Sequence, residues 1–323
     1  MPASAAEYFF LIPSLAISLA IVVPLAGVLV RFRASYNPRG LALDSEGSAV
    51  PHTGPVVSSY FGMLRRVWQI EGFSGFYKGL MPQLVTALAV SLAILTFMDA
   101  PGHRHSAYRA PSAGILGTLL YSLLMMFISL PSAIITYRAI TTPHKLPYFG
   151  LMKSLRVLLT PTERRQPWIL YLTPGLLASQ CLHVAYVTLV LAPLHRLLVP
   201  IAEESGSVAI FELSWIKISV YFTVVVVSAG ILTPLEVIST RLAIQRNQAS
   251  SEYNSVSQEV EGDAEEIAEY AGADEDVIGL RTDAEPYTGL LDCGKTIINE
   301  EGFMALYKAW WLTFFGGLVS AFA

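Results

Sequence analysis

The chain has 323 residues, of which 53% are hydrophobic and only 14% are charged. Soluble domains usually carry about 25% charged residues, so this composition excludes an ordinary soluble domain and favours a membrane protein. The net charge of −4 is unevenly distributed, because residues 249–286 hold 12 of the 25 acidic residues and only one basic residue, Arg281.

Six apolar runs without fully charged side chains follow one another along the sequence. They cover residues 8–30, 79–98, 110–137, 166–194, 218–235 and 309–323. A helix needs about 20 apolar residues to cross a bilayer, and the first five runs pass this criterion. The sixth run has 15 residues and would extend only about 22 Å as a helix, unless it begins near Phe303. The sequence therefore predicts six membrane helices, of which the last is short.

Long polar segments follow the first, third and fifth runs, whereas the other connections are short. Each long segment opens with Tyr-x-Gly and ends at a tyrosine before the next run. The openings are Tyr60–Gly62, Tyr148–Gly150 and Tyr287–Gly289, and the closing residues are Tyr77, Tyr171 and Tyr307. This recurrence predicts three copies of a helix, surface helix, helix unit, at residues 1–103, 104–205 and 206–323.

The third copy contains the acidic stretch 249–286 as an insert. The stretch has few large hydrophobic side chains and many carboxylates, which is typical of a disordered loop or of a short acidic helix near residues 259–270. A regulatory or partner-binding role for this insert stays open.

Basic residues indicate the orientation of the chain. The three long segments and the helix ends beside them hold 17 of the 21 Lys and Arg residues. Loops with an excess of Lys and Arg stay on the inner side of a membrane. We call this the basic side, and we expect both chain termini on the opposite side.

The first, third and fifth runs each contain a proline, which is followed seven residues later by an arginine. The pairs are Pro24 and Arg31, Pro131 and Arg138, and Pro234 and Arg241. Proline removes a backbone donor and bends a helix. We expect three bent helices to converge at the basic side and to close the bottom of a central cavity.

Several motifs resemble those of the mitochondrial carrier family. They are Pro234-Leu-Glu236-Val-Ile-Ser-Thr-Arg241-Leu, Tyr287-Thr-Gly289-Leu-Leu-Asp292-Cys293, and the Glu-Gly pairs at Glu71-Gly72 and Glu301-Gly302. With the tripled pattern, the resemblance covers nearly the whole chain. It implies an all-α membrane protein with the mitochondrial carrier fold: six transmembrane helices in three pseudo-symmetric repeats around a cavity, with short amphipathic surface helices.

The signature motifs are degraded at the charged positions that close the family's gate. The family carries Pro-x-Asp/Glu-x-x-Lys/Arg on each odd-numbered helix, and these charges form a ring of salt bridges. Here the acidic position is Ala26, Ala133 and Glu236, and the basic position is Leu29, Thr136 and Ser239. No ring pair can form from these positions, so we expect either another closure, such as apolar packing, or a protein that does not alternate between open and closed states.

The resemblance places the solute-contacting positions midway along the even-numbered helices. They are Thr86, Leu182, His183 and Gly316. None of them is Lys or Arg, and a buried anion needs a paired charge. An anionic metabolite is therefore a poor fit, and a neutral or apolar solute fits better.

His183 is the one ionisable side chain deep inside a predicted membrane run, which makes it a functional candidate. Its neighbours Gln180 and Tyr186 lie three residues away on either side and share its predicted helix face. The sequence shows no acidic partner for it. The alternative is a neutral imidazole that is hydrogen-bonded within the helix bundle.

Residues at the ends of the surface segments resemble the family's cardiolipin sites, where helix N-termini offer amides to phosphate. The predicted lipid contacts are Gly62, Tyr77, Lys78, Gly79, Gly150 and Gly289. The alternative is that these residues form only turns and a membrane boundary.

The resemblance implies a monomer that carries a small, unidentified solute across the mitochondrial inner membrane. The alternative is a non-transporting protein of the same fold in the outer membrane, acting in membrane dynamics, lipid handling or protein insertion. The sequence contains no nucleophile–base pair, metal-ligand cluster or redox motif. We therefore expect no enzymatic activity, cofactor or metal, and no nucleic-acid partner.

Overall fold

The computed structural model describes residues 5–39, 42–43, 49–50, 55–85, 87, 114–144, 146–147, 150–198, 215–246, 276–281 and 286–322. Within these residues the chain is almost entirely helical. The exception is an antiparallel pair of two-residue strands, β1 (Ala42–Leu43) and β2 (Ala49–Val50).

Three long helices contain the predicted odd-numbered runs. They are α1 (Ala5–Ala34), α5 (Gly114–Thr141) and α10 (Trp215–Ile244), with 30, 28 and 30 residues. Pro24, Pro131 and Pro234 lie inside these helices. A helix of this length extends roughly 42–45 Å, more than the hydrocarbon core of a bilayer.

Three shorter helices follow the long ones: α2 (Tyr60–Ile70), α6 (Leu151–Leu158) and α11 (Leu290–Glu300). They begin at or directly after the Tyr-x-Gly openings. Further short elements lead to the next apolar segment. These are α3 (Gly72–Phe76), α7 (Pro161–Arg165) and the 3-10 turns Pro167–Leu172 and Phe303–Tyr307.

The even-numbered runs are described in part. Helix α4 occupies residues 80–85, and α12 spans Trp310–Phe322. The fourth run forms α8 (Leu176–Tyr186), a π-helical turn (Val187–Leu191) and α9 (Ala192–Leu198). This helix begins ten residues later than the apolar run, because the chain first makes a 3-10 turn and then bends at Gly175, whose φ is +77°.

Within the described residues, three helices are long and apolar enough to cross a membrane: Gly114–Thr141, Leu176–Leu198 and Trp215–Ile244. The helices carry many exposed large hydrophobic side chains along their length, including Leu116, Leu120, Ile216 and Val227. Such surfaces are expected where a helix contacts lipid. The chain is therefore an all-α protein with the character of a multi-pass membrane protein.

The buried core lies where the long helices meet the short ones, towards the basic side. One cluster joins α5, α10 and α11 through Ile134, Val237, Leu242, Cys293 and Ile297. A second cluster joins α1 and α2 to residues 276–281, and its members include Val28, Phe32, Met63, Val67 and Ile278.

Residues 276–281 belong to the acidic stretch that the composition marks as disordered. Val277 and Ile278 of this segment interrupt the run of carboxylates and pack into the second cluster instead. Residues 259–270, where a short acidic helix was the alternative, lie outside the described residues.

Candidate functional site

The three arginines that follow the helix prolines are buried, and each pairs with a glutamate of its own predicted repeat unit. Arg31 contacts Glu71 at 2.5 Å. Arg138 binds both carboxylate oxygens of Glu163, at 2.7 and 3.0 Å. Arg241 binds both oxygens of Glu301, with Nη2 at 2.9 Å from Oε2. Removing one partner of such a buried pair leaves a charge that is costly to keep out of water.

Two of these arginines also bind the C-terminal end of the next long helix. Arg138 of α5 donates to the carbonyl oxygens of Ala243 and Gln245, at the end of α10. Arg241 of α10 donates to those of Arg33 and Ser35, at the end of α1. The last carbonyls of a helix have no partner within the helix and carry partial negative charge, so a cation there is stabilising.

Lys78 makes the equivalent contact at the end of α5. Its ammonium donates to the Thr142 carbonyl at 2.6 Å and to the Glu71 carboxylate at 2.5 Å. The three long helices are thus joined in a cycle at the basic side, with a cation from one unit on the helix end of the next. We call this arrangement the cation ring.

The cation ring adds buried charges to the apolar packing that was expected in place of the family's salt bridges. Apolar side chains do pack at the helix ends, but Arg31, Arg138 and Arg241 lie among them with their carboxylate partners. These charges lie outside the positions that the family uses for its salt-bridge ring. The family motif showed that one set of charges is absent. It did not indicate that Arg31, Arg138 and Arg241 form buried ion pairs at the helix ends.

Burial affects the ionisation of the residues in this layer. The pKa of Lys78 is lowered to about 8, chiefly by burial; the Glu71 carboxylate acts in the opposite direction, and the positive charge of Arg31 contributes to the lowering. Burial by itself raises the pKa of Glu301, but the charge and hydrogen bonds of Arg241 and the charge of Lys308 outweigh it, so the net shift is downward. Glu301 therefore remains a carboxylate at neutral pH.

The helix prolines coincide with a second contact that recurs in the three units. Proline lacks an N–H, so the carbonyl four residues earlier loses its helical donor. The hydroxyls of three tyrosines donate to these carbonyls. Tyr77 binds Ala20, Tyr171 binds Phe127 and Tyr307 binds Gly230, at 3.2, 3.0 and 3.3 Å. An unsatisfied carbonyl is costly in lipid, so these hydroxyls stabilise the proline-containing helices.

A cluster of four polar side chains lies above the cation ring, at the meeting of four helices. Glu236 of α10 accepts from Arg33 of α1 at 2.5 Å and from the Thr313 hydroxyl of α12 at 2.6 Å. Its other oxygen lies 3.5 Å from Nε2 of His183 in α8. Arg33 also donates to Thr313, at 2.8 Å. We call these four residues the polar cluster.

The polar cluster changes the interpretation of two predicted residues. The expectation that His183 lacks an acidic partner is wrong, because α8 packs beside α10 and brings its imidazole to Glu236. Glu236 is the one surviving acid of the family's ring positions, and it pairs with Arg33, which lies four residues beyond the ring position at Leu29. Tyr186, one turn from His183, also faces α10, where its hydroxyl lies 3.1 Å from that of Ser228.

The other predicted solute contacts have no polar partner in the structure or fall outside it. The Leu182 side chain is 52% exposed. A methyl group added at Gly316 would meet no atom within 4 Å. Gly316 lies one turn after Thr313 of the polar cluster. Thr86 lies outside the described residues.

Two of the predicted lipid contacts, Lys78 and Gly62, are hydrogen-bonded within the protein. Lys78 is buried on Glu71 and Thr142, so its ammonium is not presented to a phosphate. The Gly62 amide donates to the Ser59 hydroxyl at 3.0 Å. Gly150 and Gly289 are the residues that precede α6 and α11. At Gly79, where φ is +81°, an added Cβ would lie 2.9 Å from Ile140.

A mostly apolar groove lies between the start of α4 and the start of α6. It is lined by residues that include Leu80, Pro82, Ile135, Ala139, Leu155 and Leu158. Its location matches the boundary at which the sequence predicts a lipid contact. The predicted lipid contacts Tyr77, Lys78 and Gly79 also line the groove, although most of its surface is apolar.

Several residues of the site were missed by sequence reasoning. Glu71 and Glu301 stand in the recognised Glu-Gly pairs, but no local pattern names their partners. Glu163 lacks the following glycine, and its visible role is a capping box with Thr160. No local sequence pattern marked Arg33 or Thr313, because they lie 203 and 77 residues away from Glu236 in the sequence.

The part of the chain that the structure describes contains no group of three or more His, Cys, Asp or Glu side chains arranged to hold a metal ion. Its free cysteines are Cys181, which is partly exposed, and Cys293, which is buried. The polar residues form pairs with long-range partners in neighbouring helices.

Comparison with known proteins identifies the third unit. No curated protein sequence matches the chain. Residues 220–323 match the family model described as mitochondrial carrier protein. The matched region includes most of α10, together with α11 and α12, and with them Glu236 and the Arg241–Glu301 pair. The match covers about a third of the chain and shows that its C-terminal part is similar to mitochondrial carrier proteins.

Proposed function

We propose that the protein is a divergent carrier that moves a small solute across the mitochondrial inner membrane. In this proposal six transmembrane helices form three repeats, at residues 1–103, 104–205 and 206–323. The family match supports solute transport in general. The observation that carries the proposal for this chain is the cation ring, which links the ends of three long helices in a closed cycle.

A carrier must close one side of its path and then open it. The cation ring supplies a closure that can be reversed, since its contacts are ion pairs and hydrogen bonds to helix ends. Opening the basic side requires Arg138, Arg241 and Lys78 to leave the carbonyl oxygens of the neighbouring helix. Glu71, Glu163 and Glu301 belong to the same units as their cations, so each cation keeps its partner while the helix ends separate.

The polar cluster is the proposed point of contact between the solute and this closure. Its members come from α1, α8, α10 and α12, so a solute bound there affects four helices at once. The charge of Arg33 is already matched by Glu236, and its guanidinium also binds Thr313. The cluster therefore offers no spare cation to an anionic metabolite, which supports a neutral, polar solute.

We further propose that the chain acts as a monomer and that lipid contacts it at the groove beside α4 and α6. The acyl chains of a phospholipid such as cardiolipin fit the apolar lining. The headgroup would meet the helix N-terminus that follows Gly150, since Lys78 is engaged with Glu71.

Reconstitution tests the proposed function. The full chain is purified, inserted into cardiolipin-containing liposomes and assayed for uptake of a panel of radiolabelled neutral, cationic and anionic solutes. We expect uptake of at least one neutral polar solute and none of nucleotides or dicarboxylates. A folded, inserted protein that takes up no solute, or protease exposure on intact mitochondria typical of the outer membrane, would contradict the proposal.

A further inference from the structure

The short segment 276–281, which we call the strap, crosses from the third unit to the first on the basic side. It lies upstream of α11 in the chain, yet its first residues bind α2. The guanidinium of Arg66 in α2 donates to two consecutive strap carbonyls, those of Asp276 and Val277, at 3.0 and 3.1 Å. The strap therefore begins on a surface helix of a different unit.

Two apolar side chains fix the strap to the first unit. Val277 and Ile278 are only 8% and 7% exposed. They belong to the cluster that includes Val57, Met63 and Val67 around α2. Burial of branched aliphatic side chains is favourable and holds this part of the segment against the protein.

The other end of the strap is fixed to the third unit. Arg281 binds both carboxylate oxygens of Glu300, the last residue of α11, at 3.0 and 3.1 Å. Its guanidinium also lies 5.0 Å above the ring of Tyr287. Between the two ends, the Gly279 carbonyl accepts from the amide of Tyr36, directly beyond α1, at 2.8 Å. The strap thus touches both sides of one boundary.

This boundary is the one that Arg241 closes by binding the end of α1. The boundary between the second and third units is closed by Arg138, which donates to the carbonyl oxygens of Ala243 and Gln245 at the end of α10. In the described part of the chain, the strap reinforces only the first of these two boundaries. The contacts of the strap are additional to the arginine–glutamate pairs and to the tyrosine–carbonyl hydrogen bonds described above.

We propose that the strap is a latch that keeps the boundary between the first and third units shut on the basic side, and that it must detach before this side opens. Its attachment to α2 consists of one arginine and two aliphatic side chains, so it can separate while α1, α2 and α10 keep their own packing. The link to a transport cycle rests on the proposed function, whereas the latch itself is a property of the fold.

Cysteine reactivity measures the latch directly. Ala34 at the end of α1 and Ala243 at the end of α10 are each 3% exposed and serve as matched reporters of the two boundaries. A34C and A243C are introduced separately into full-length protein that carries C181A and C293A. The rate of modification by a water-soluble maleimide is then measured in nanodiscs, with and without R66A. The control is R65A, which removes a charge from the exposed neighbouring residue.

We expect R66A to increase the modification rate of A34C at least about tenfold and to leave that of A243C unchanged within about twofold. R65A should change neither rate. An I278S variant, compared with I298S on the exposed side of α11, should reproduce the effect of R66A without altering charge. Unchanged reactivity of A34C in R66A and I278S overturns the latch proposal. An equal rise in the modification rates of A34C and A243C also overturns it, because that result indicates general loosening of the structure.

Solute uptake by the same variants separates the latch from the proposed function. If R66A selectively raises the modification rate of A34C but the protein transports no solute, the latch is supported and the transport proposal is contradicted. Uptake by the wild-type protein, combined with no effect of R66A at A34C, contradicts the latch alone.

Discussion

The hydroxyl of Tyr307 donates a hydrogen bond to the carbonyl oxygen of Gly230, the carbonyl that loses its helical donor to Pro234. The same relationship joins Tyr77 to Ala20 below Pro24, and Tyr171 to Phe127 below Pro131. Each unit thus contains both the residue that interrupts a helix and the residue that repairs the interruption. Proline and tyrosine lie 73, 53 and 40 positions apart in the sequence, so the recurrence resides in the fold rather than in the spacing.

Removing one of these hydroxyls should destabilise the protein. We expect Y307F to lower the free energy of unfolding by about 1–2 kcal/mol, because it leaves the Gly230 carbonyl without a donor and changes little else. Denaturant unfolding in micelles checks this. Y121F is the control, since the Tyr121 hydroxyl makes no hydrogen bond within the described part of the chain. Equal stability of Y307F and Y121F would show that the hydroxyl does not compensate for Pro234.

The buried pairs of the cation ring should behave as coupled units. E301A is expected to cost about 3–5 kcal/mol of unfolding free energy, since it strands the Arg241 charge away from water. The double variant R241M/E301L should cost less than the sum of the two single changes, because it removes both charges. R65A at an exposed site should change stability by less than about 0.5 kcal/mol. Additive single and double effects would argue against a coupled pair.

The polar cluster is expected to control uptake of the solute identified by reconstitution. We predict that E236Q and H183A each reduce the initial uptake rate on the order of tenfold, equivalent to about 1.4 kcal/mol. H195A is the matched control, because His195 lies in α9 near the Tyr221 ring rather than at Glu236. Unfolding midpoints of the three variants are measured in parallel. Normal uptake by folded H183A would return this residue to a purely structural role.

The buried ammonium of Lys78 predicts a specific dependence of stability on pH. Burial lowers the pKa of Lys78 from 10.5 to about 8. Between these values the folded protein releases a proton that the unfolded chain keeps, so the free energy of unfolding rises with pH across this window. The full effect amounts to roughly 3 kcal/mol at most.

The measurement compares unfolding of the wild type with that of K78Q from pH 7 to pH 10.5. The stability difference should shift in favour of the wild type above pH 8. K217Q, at an exposed residue of α10, is the control for removal of a lysine charge. If the stability difference between the wild type and K78Q does not change with pH, or shifts against the wild type, the buried position of Lys78 is contradicted.

Local sequence patterns predicted the elements well. The Tyr-x-Gly openings marked the starts of α2, α6 and α11 to within one residue where the structure describes them, because the glycine and the amphipathic pattern act over a few neighbouring residues. The apolar runs at 110–137 and 218–235 marked α5 and α10. The fourth run was misplaced at its start, since hydrophobicity alone does not distinguish the 3-10 turn at Pro167–Leu172 from a membrane helix.

The partners of the charged residues were beyond local patterns. The sequence showed that Ala26, Ala133, Leu29 and Thr136 had lost their charges, and apolar closure was the natural expectation. Arg31, Arg138 and Arg241 were noted beside the prolines, but nothing nearby in the sequence names Glu71, Glu163 or Glu301 as their partners. Such pairing depends on where a surface helix returns to the end of a long helix.

The sequence by itself indicated the membrane class, which follows from composition, and its motifs indicated the similarity to mitochondrial carriers that the family match supports for residues 220–323. The tripled order of elements and the orientation of the basic side stay predictions. Only the tertiary structure decided that Arg33 meets Glu236, that His183 has an acidic neighbour, and that six residues of an acidic insert fasten the third unit to the first. These contacts join residues far apart in the chain, and packing of the helices fixes them.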